Sequence, residues 1–405
     1  MKIYPANILL PDFSRIDGRL WATVACDQYT SEPEYWERVS AAVAGSPSTL
    51  ELMLPEVWLS DAASRVPEIH KKMDAYLSDG TLILHSDCGI YLERRQHDGR
   101  IRRGLVACID LEDYDYMPGS SAPIRATEKT VVERIPPRLA IRRGAPLEMP
   151  HVMLLADDRE NVLFTPFADR VPDAYDFDLM ENGGHVSASY VTAGEIEDFS
   201  RKLNGLVSGE HPMILAVGDG NHSLASARAA WDEIKPTLPA EDVIRHPARY
   251  ALCEIVNVHD CALDFEPIYR LVDCPDPREL AEEFSRLAGE SRGDMDPQTF
   301  TLIVEGDEIS VTVPHPEMFL PVATLQKFLD AYSASHPGTV TDYIHGDDTL
   351  RRLASRAGYV GFLFDGMTKE SLFSAVENDG ALPRKTFSMG HAHDKRFYIE
   401  CRKIR

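Results

Sequence analysis

The chain has 405 residues, 44% of them apolar, enough for one large domain or two to three ordinary ones with sizeable cores. Its 42 Lys and Arg against 65 Asp and Glu leave a net charge of −23, which argues against non-specific binding to nucleic acid or to an anionic membrane surface. Seven cysteines, an odd number with no C-x-x-C pair, indicate neither a disulfide framework nor a zinc ribbon and fit a reducing cytoplasm. The opening Met1-Lys2-Ile3-Tyr4-Pro5 lacks a signal-peptide core and no apolar run approaches ~18 residues, so no membrane association is expected.

In chain order, Trp21-Ala22-Thr23-Val24-Ala25 reads as a strand, with Cys26-Asp27-Gln28-Tyr29-Thr30 as the loop after it. Ser31, Pro33 and Glu34 predict a capped helix start, with Tyr35, Trp36 and Val39 on its apolar face. Asp27 reads first as a loop residue bonding nearby amides and second as a carboxylate at a cleft. Residues 41–64 are loop-like, and 66–77 form a helix. Strands at 90–94 and 102–110 flank Gln96-His97-Asp98-Gly99, whose Asp-Gly is a strong hairpin signal. Arg94, Arg95, Arg100, Arg102 and Arg103 are expected on a solvated face that guards the strand edges.

Across 112–150 periodicity is weak and arginine is dense. Ile124-Arg125-Ala126-Thr127-Glu128-Lys129-Thr130 is followed by Arg134, Arg138, Arg142 and Arg143. Arginine offers paired donors to phosphate or carboxylate. An anion site is therefore favoured over salt bridges with Glu128, Glu133 and Glu148. Residues 151–156 form a strand ending in Asp157-Asp158, a pair able to hold magnesium but more commonly a turn cap. A strand at 186–191 and a helix at 193–206 follow.

The next stretch, Ile214-Leu215-Ala216-Val217-Gly218-Asp219-Gly220-Asn221-His222-Ser223, carries the most information. Its four apolar residues read as a buried strand, and two glycines then break it. Leu224, Ala227, Trp231 and Ile234 give one stripe of a helix, with Asp219 or Asn221 as its expected cap. Unpaired first-turn amides at the positive end of the helix dipole make such a turn an anion site, and Gly218 and Gly220 let a phosphate approach the backbone. No Gly-Lys-Ser/Thr follows, so it is not a Walker loop. An ordinary strand-to-helix turn is the competing reading.

Strands at 250–258 and 263–272 come next, the latter presenting Arg270 to a cleft. A helix and a Gly/Asp/Pro loop over 276–297 mark a soft boundary. A main domain over 1–275 and a C-terminal region over 276–405, packing against it and contributing to the cleft, are expected. That region holds a hairpin at 300–304 and 308–313, a helix at 325–332, and Thr341-Asp342-Tyr343-Ile344-His345-Gly346. Asp347 or Asp348 caps the following helix. A strand at 359–364 and a helix at 371–377 precede a final hairpin of 382–389 with 395–401. Strands and helices mix without βαβ alternation, which predicts an α+β fold with mixed sheets.

With these segments in place, the sequence resembles the domain of unknown function 1015 family of bacterial and archaeal proteins over nearly its whole length. The resemblance rests on Cys26-Asp27-Gln28-Tyr29-Thr30-Ser31 with Tyr35-Trp36, Ile124-Arg125-Ala126-Thr127-Glu128, Pro136-Pro137-Arg138, Gly218-Asp219-Gly220-Asn221-His222, Asp342-Tyr343-Ile344-His345-Gly346 and Leu382-Pro383-Arg384-Lys385-Thr386-Phe387. The Asp-Gly-x-His turn with its helix is also similar to the motif of the ParB/sulfiredoxin-like superfamily, which includes free-serine kinases. There the turn and helix start bind nucleotide phosphates. Asp219, Gly220 and His222 occupy the motif positions. Ser223 stands where an Arg is usual, and Tyr269-Arg270 where many family members have His-Arg. Gly218 rather than Cys precedes the Asp-Gly, so a catalytic cysteine of sulfiredoxin type is not expected.

The resemblance implies an enzyme binding a nucleotide or phosphorylated metabolite, with ATP or ADP and magnesium, and phosphoryl transfer or phosphate-ester chemistry on a small molecule such as serine. His222, Glu128, Asp219 and His345 are the candidate catalytic residues. Arg125, Gly218, Gly220, Asn221, Ser223, Arg270, Arg384, Lys385 and Asp27 are the candidate binding residues. A non-catalytic nucleotide- or metabolite-binding regulator is the alternative. His391 and His393 share a strand face, but sequence offers no third ligand and a hairpin turn accounts for them, so no metal site is assigned.

Overall fold

β-branched and leucine-rich runs build one mixed sheet and one antiparallel sheet, in keeping with the lack of βαβ alternation. The computed structural model describes residues 1–130 and 135–405, and divides the chain into two units. The first comprises 1–126, 130–263 and 391–405; the second comprises 127–129 and 264–390. The division expected at 275/276 falls inside the second unit, between the strand Phe265–Asp273 and the helix Pro277–Glu290. The last fifteen residues, 391–405, belong with the first unit because Cys401–Lys403 pairs with Ala6–Pro11 and Leu147–Glu148.

In the first unit the described residues form a sheet of 13 strands. Its centre runs Ile124–Ala126, Leu215–Asp219, Met153–Ala156, Tyr250–Asn257, Ile101–Asp110, Leu82–Arg95. Leu215–Asp219 is parallel to Ile124–Ala126 but antiparallel to Met153–Ala156, which is itself parallel to Tyr250–Asn257. The central strands are buried on both faces, as their continuous apolar character requires. The helices Ala193–Gly205 and Asn221–Ile234 cover one face through Ile196, Phe199, Leu203, Leu224 and Trp231.

Several expectations are corrected here. Residues 21–25 do not form a strand: Gly18–Trp21 is a helical turn capped by Asp17, and Thr23–Val24 is a two-residue strand. The helix Pro33–Val43 takes Glu32 as its N-cap, without a side-chain bond from Ser31. Gly220 and Gly346, rather than the neighbouring Asp or Asn residues, are the N-caps of their helices. The expected terminal hairpin is absent. Phe387–Met389 pairs with Phe265–Asp273, and Phe397–Tyr398 pairs with Thr23–Val24, because long-range partners outcompete the local turn.

The hairpin arginines are also corrected: Arg94 and Arg102 are each 2% exposed. They lie opposite one another in register. Arg94 donates to the carbonyls of Gly183 (2.7 Å), His393 (2.6 Å) and Lys395 (3.0 Å). Arg102 donates to the Asp394 carbonyl (2.9 Å) and to Glu254 (3.2 Å), and Arg396 joins Glu254 to Glu400. Burial pushes the Arg94 guanidinium down to about 9, with Arg102 adding to the effect. These side chains stay buried because carbonyls and carboxylates take up their donors.

The second unit is a six-stranded sheet in the order Asp307–Val313, Gln298–Val304, Tyr359–Phe364, Phe265–Asp273, Val340–His345, with Phe387–Met389 pairing off the path. Phe284 of the helix Pro277–Glu290 packs edge-to-face on Phe300 and Phe362 of the sheet and on Phe328 of the helix Pro321–Ser335. Asp347–Ala354 packs on Leu271, Ile303, Ile344 and Leu363. No described helix is long and apolar enough to cross a membrane.

Candidate functional site

The strand Leu215–Asp219 ends where its antiparallel neighbour Met153–Ala156 begins, with Asp219 opposite Met153. Gly220 therefore lies against the residues just before that neighbour. A Cβ on Gly220 would sit 3.0 Å from the Val152 Cα and 3.3 Å from His151 Cδ2. Its φ of +76° is the left-handed turn that launches the helix Asn221–Ile234. Gly220 has no side chain to cap the helix, and the first intrahelical bond runs from the Leu224 N–H to the Gly220 carbonyl (3.0 Å). Asp219 accepts from the Gly220 N–H (3.0 Å) and pairs with Lys395 Nζ (3.4 Å). Both of these side chains are largely sheltered, at 17% and 14% exposure. Among the described residues, Asn221 Oδ1 is buried with no hydrogen-bond partner.

Two further segments of the first unit join this turn. The Tyr398 hydroxyl accepts from the Cys26 N–H (3.4 Å) and lies 2.7 Å from His151 Nδ1. Burial and the neighbouring Cys26 and Asp27 raise Tyr398 well above its ordinary value, so its hydroxyl keeps its proton. The other ring nitrogen of His151, Nε2, faces Asp27 at 3.9 Å. Burial opposes ionisation of Asp27, but His151, the Gln28 amide, Lys395 and Arg138 outweigh it and hold the carboxyl below its usual range. Burial, reinforced by Asp27, pushes the Cys26 thiol up to about 12, so it is no nucleophile at neutral pH.

Beside the first helical turn lies a cavity of about 130 Å³ lined by Cys26, Arg138, His151, Ser223, Ser226 and Tyr398, with Leu52, Met53, Met73 and Met149 as its apolar wall. Ligand sites for drug-sized molecules run to roughly 300–1,000 Å³. The enclosed part is thus suited to a phosphoryl group or a short side chain. His222 is half-buried, and its carbonyl accepts from Ser226 Oγ (2.7 Å).

Of the expected site residues, the first unit brings together Asp27, Gly218, Asp219, Gly220, Asn221, His222 and Ser223. Arg125 is turned away: its guanidinium donates to the carbonyls of Ala122 (2.7 Å) and His211 (2.8 Å), at the opposite end of the Leu215–Asp219 strand. Among the described residues, the other arginines of 124–143 are each held by a carboxylate. Arg138 pairs with Glu56, Arg142 with Glu148 and Arg143 with Glu233; these are salt bridges, as in the second reading, but of the partners expected there only Glu148 is among them. Arg134 and Glu133 lie outside the described residues. Asp158 caps a turn through the Val162 and Leu163 amides, and Asp157 pairs with His259.

Glu128, Arg270, His345, Arg384 and Lys385 belong to the second unit. Arg270 is fully buried. It donates to Gln326 Oε1 (2.9 Å) and to the carbonyls of Ile268 (2.6 Å), Lys385 (3.1 Å) and Arg384 (3.3 Å), and lies over the Tyr343 ring. It therefore clamps the turn carrying Arg384 and Lys385 rather than reaching for a ligand. Burial pushes it down to about 10. Arg384 and Lys385 are exposed, with Lys385 at φ +59°. His345 is exposed one residue before the helix-capping Gly346. Sequence reading missed His151, Lys395 and Tyr398 as site residues. Their signal was only their position at the edges of short strands.

The family described as "Protein of unknown function (DUF1015)" matches residues 10–332 of the chain. The chain belongs to it. Among solved structures, the chain is similar to a free serine kinase in complex with AMP, at 12% identity and a TM-score of 0.39, over 74% of this chain and 92% of that one. It is also similar to a conserved hypothetical protein from Pyrococcus furiosus (12% identity, TM-score 0.34, 74% and 95% covered). A third is C-terminally truncated SbnI from Staphylococcus aureus (11% identity, TM-score 0.35, 71% and 82% covered). No curated protein matches the chain.

Proposed function

We propose that this family member is an enzyme that binds a nucleotide or phosphorylated metabolite at the start of the Asn221–Ile234 helix and transfers a phosphoryl group to or from a small hydroxyl compound. The observation that carries the reading is the left-handed Gly220. It opens a 14-residue helix without a capping side chain, beside the sheltered Lys395–Asp219 pair. First-turn amides at the positive end of a helix dipole favour phosphate oxygens, and Lys395 adds a full charge. Asn221 Oδ1 is an acceptor suited to a substrate hydroxyl or ammonium. Magnesium usually binds through one or two carboxylates plus substrate phosphates, and Asp27 and Asp219 are oxygen donors of that kind.

In the proposed step the substrate hydroxyl oxygen attacks phosphorus and the bond from phosphorus to the leaving oxygen breaks. The hydroxyl proton passes to the Asp219 carboxylate. Positioning and charge neutralisation carry most of such a reaction. The test is incubation with ATP or ADP, magnesium and serine or phosphoserine, following nucleotide conversion. Turnover is expected, with Asp219→Asn slower by roughly 100-fold or more. Saturable nucleotide binding without turnover across a panel of hydroxyl metabolites would leave the chain as a binding protein. We also propose the cytoplasm as its compartment, since all seven cysteines are unpaired.

A further inference from the structure

We propose that His97, His393 and Asp394 bind one divalent transition-metal ion of the zinc class, at a place separate from the turn at Gly220. His97 lies in the turn between Leu82–Arg95 and Ile101–Asp110, and His393 comes 296 residues later, in the segment that returns to the first unit. His97 Nδ1 and His393 Nε2 are 3.2 Å apart. Asp394 places its carboxylate oxygens 3.6 Å from His393 Nε2 and 4.0 Å from His97 Nδ1. Zinc bonds of about 2.0–2.1 Å in a tetrahedron put neighbouring donors about 3.3–3.4 Å apart. The two ring nitrogens are already close to that spacing, with Asp394 Oδ2 slightly beyond it from His393 and Oδ1 further from His97. Two imidazoles and one carboxylate suit zinc, cobalt or iron(II), and not magnesium or calcium, which take oxygen donors.

The supports of the three donors argue for a prepared site. Arg94 and Arg102 hold the carbonyls of His393, Asp394 and Lys395 from beneath. Asp394 Oδ2 accepts from the His391 N–H at 3.2 Å, which fixes the carboxylate. Asp98 ties the turn by accepting from the Arg100 N–H and Nε, at 3.0 and 2.6 Å. His97 is 52% exposed, so the fourth position faces solvent. A plain His–His hydrogen bond, with the rings 85° apart, is the competing account of the short contact. An ion here would join the hairpin turn to the segment that ends in Lys395, the residue paired with Asp219.

The experiment uses the full-length chain stripped with a chelator and titrated with zinc chloride by calorimetry and with cobalt chloride by visible absorption. One ion per chain is expected, with the visible bands of four-coordinate cobalt. His97→Ala and His393→Ala should each weaken binding by about tenfold or more, as removing even an outer-shell partner does. His97→Ala alters an exposed turn, so it keeps the test readable should His393→Ala fail to fold. Cys261→Ser and Glu283→Gln should titrate like the parent. They remove an exposed thiol and one carboxylate of a second group, Glu279, Glu283 and His336. Absence of saturable zinc or cobalt binding overturns the proposal. Binding unchanged in His97→Ala, or lost in Glu283→Gln, also overturns it.

Discussion

Replacing Gly220 by alanine tests the backbone on which the site reading stands. Gly220 has φ +76°, and placing an L-residue in the left-handed region costs about 1–2 kcal/mol. The new Cβ would lie 3.0 Å from the Val152 Cα, 3.1 Å from its Cγ2 and 3.3 Å from His151 Cδ2. The backbone atom cannot step aside as a flexible side chain could, and overpacking of this kind adds about 1–3 kcal/mol. Together Gly220→Ala should destabilise the chain by about 2–5 kcal/mol, a large share of the ~5–15 kcal/mol that holds a typical fold. The assay is urea denaturation, read as a lower midpoint at unchanged slope. Gly194→Ala is the control, since it sits in the first turn of the Ala193–Gly205 helix with nothing within 4 Å of its Cβ. It should be neutral or stabilising by up to about 1 kcal/mol. Because the substitution moves the turn itself, nucleotide binding should fall by roughly tenfold or more, about 1.4 kcal/mol. A Gly220→Ala protein within about 0.5 kcal/mol of the parent, with unchanged nucleotide binding, would refute the reasoning, since that is the range of ordinary surface substitutions.

Three other outcomes follow from the charges. Glu254 is fully buried between Arg102 and Arg396, so Glu254→Gln should lower stability by about 3–5 kcal/mol in urea melts by leaving guanidinium charge uncompensated. Asp27 has its folded pKa below the ordinary 3.8, so its contribution to stability is present above that value and is lost as pH falls through the folded pKa. Asp27→Asn should therefore flatten the acid limb of a stability-versus-pH curve below about pH 4, and an unchanged limb would contradict the assigned neighbours. Arg270→Met removes the donor from the Arg384 and Lys385 carbonyls, at about 1–3 kcal/mol for each acceptor left dry, and hydrogen exchange across 384–387 should speed up.

The strand–turn–helix at 214–234 was legible because everything that makes it is local: a β-branched run, two glycines and a helical stripe. The hairpin at 96–99 was legible for the same reason. His151, Tyr398 and Lys395 reach the turn through pairings across the sheet, and no local pattern announces a neighbour 247 residues away. Arginine was misread twice for one physical cause. Its charge predicts exposure, yet Arg94, Arg102 and Arg270 are buried because carbonyls presented by distant segments take up their donors. The terminal hairpin failed likewise. The turn at 390–394 is real, but its flanks find better partners in Phe265–Asp273 and Thr23–Val24. His97 was visible only as part of a hairpin turn and His393 only beside His391, and it is the fold that brings His97 and His393 together.

The central claim is that phosphate binds the first turn of the Asn221–Ile234 helix. Amide spectra of the nitrogen-15-labelled chain, titrated with ADP and magnesium, test it most directly. The account predicts saturable shifts led by the amides of Gly220, Asn221 and Ser223, with the Lys395 amide following, and their loss in Gly220→Ala. Saturable shifts centred elsewhere, with the first-turn amides unmoved, would contradict it.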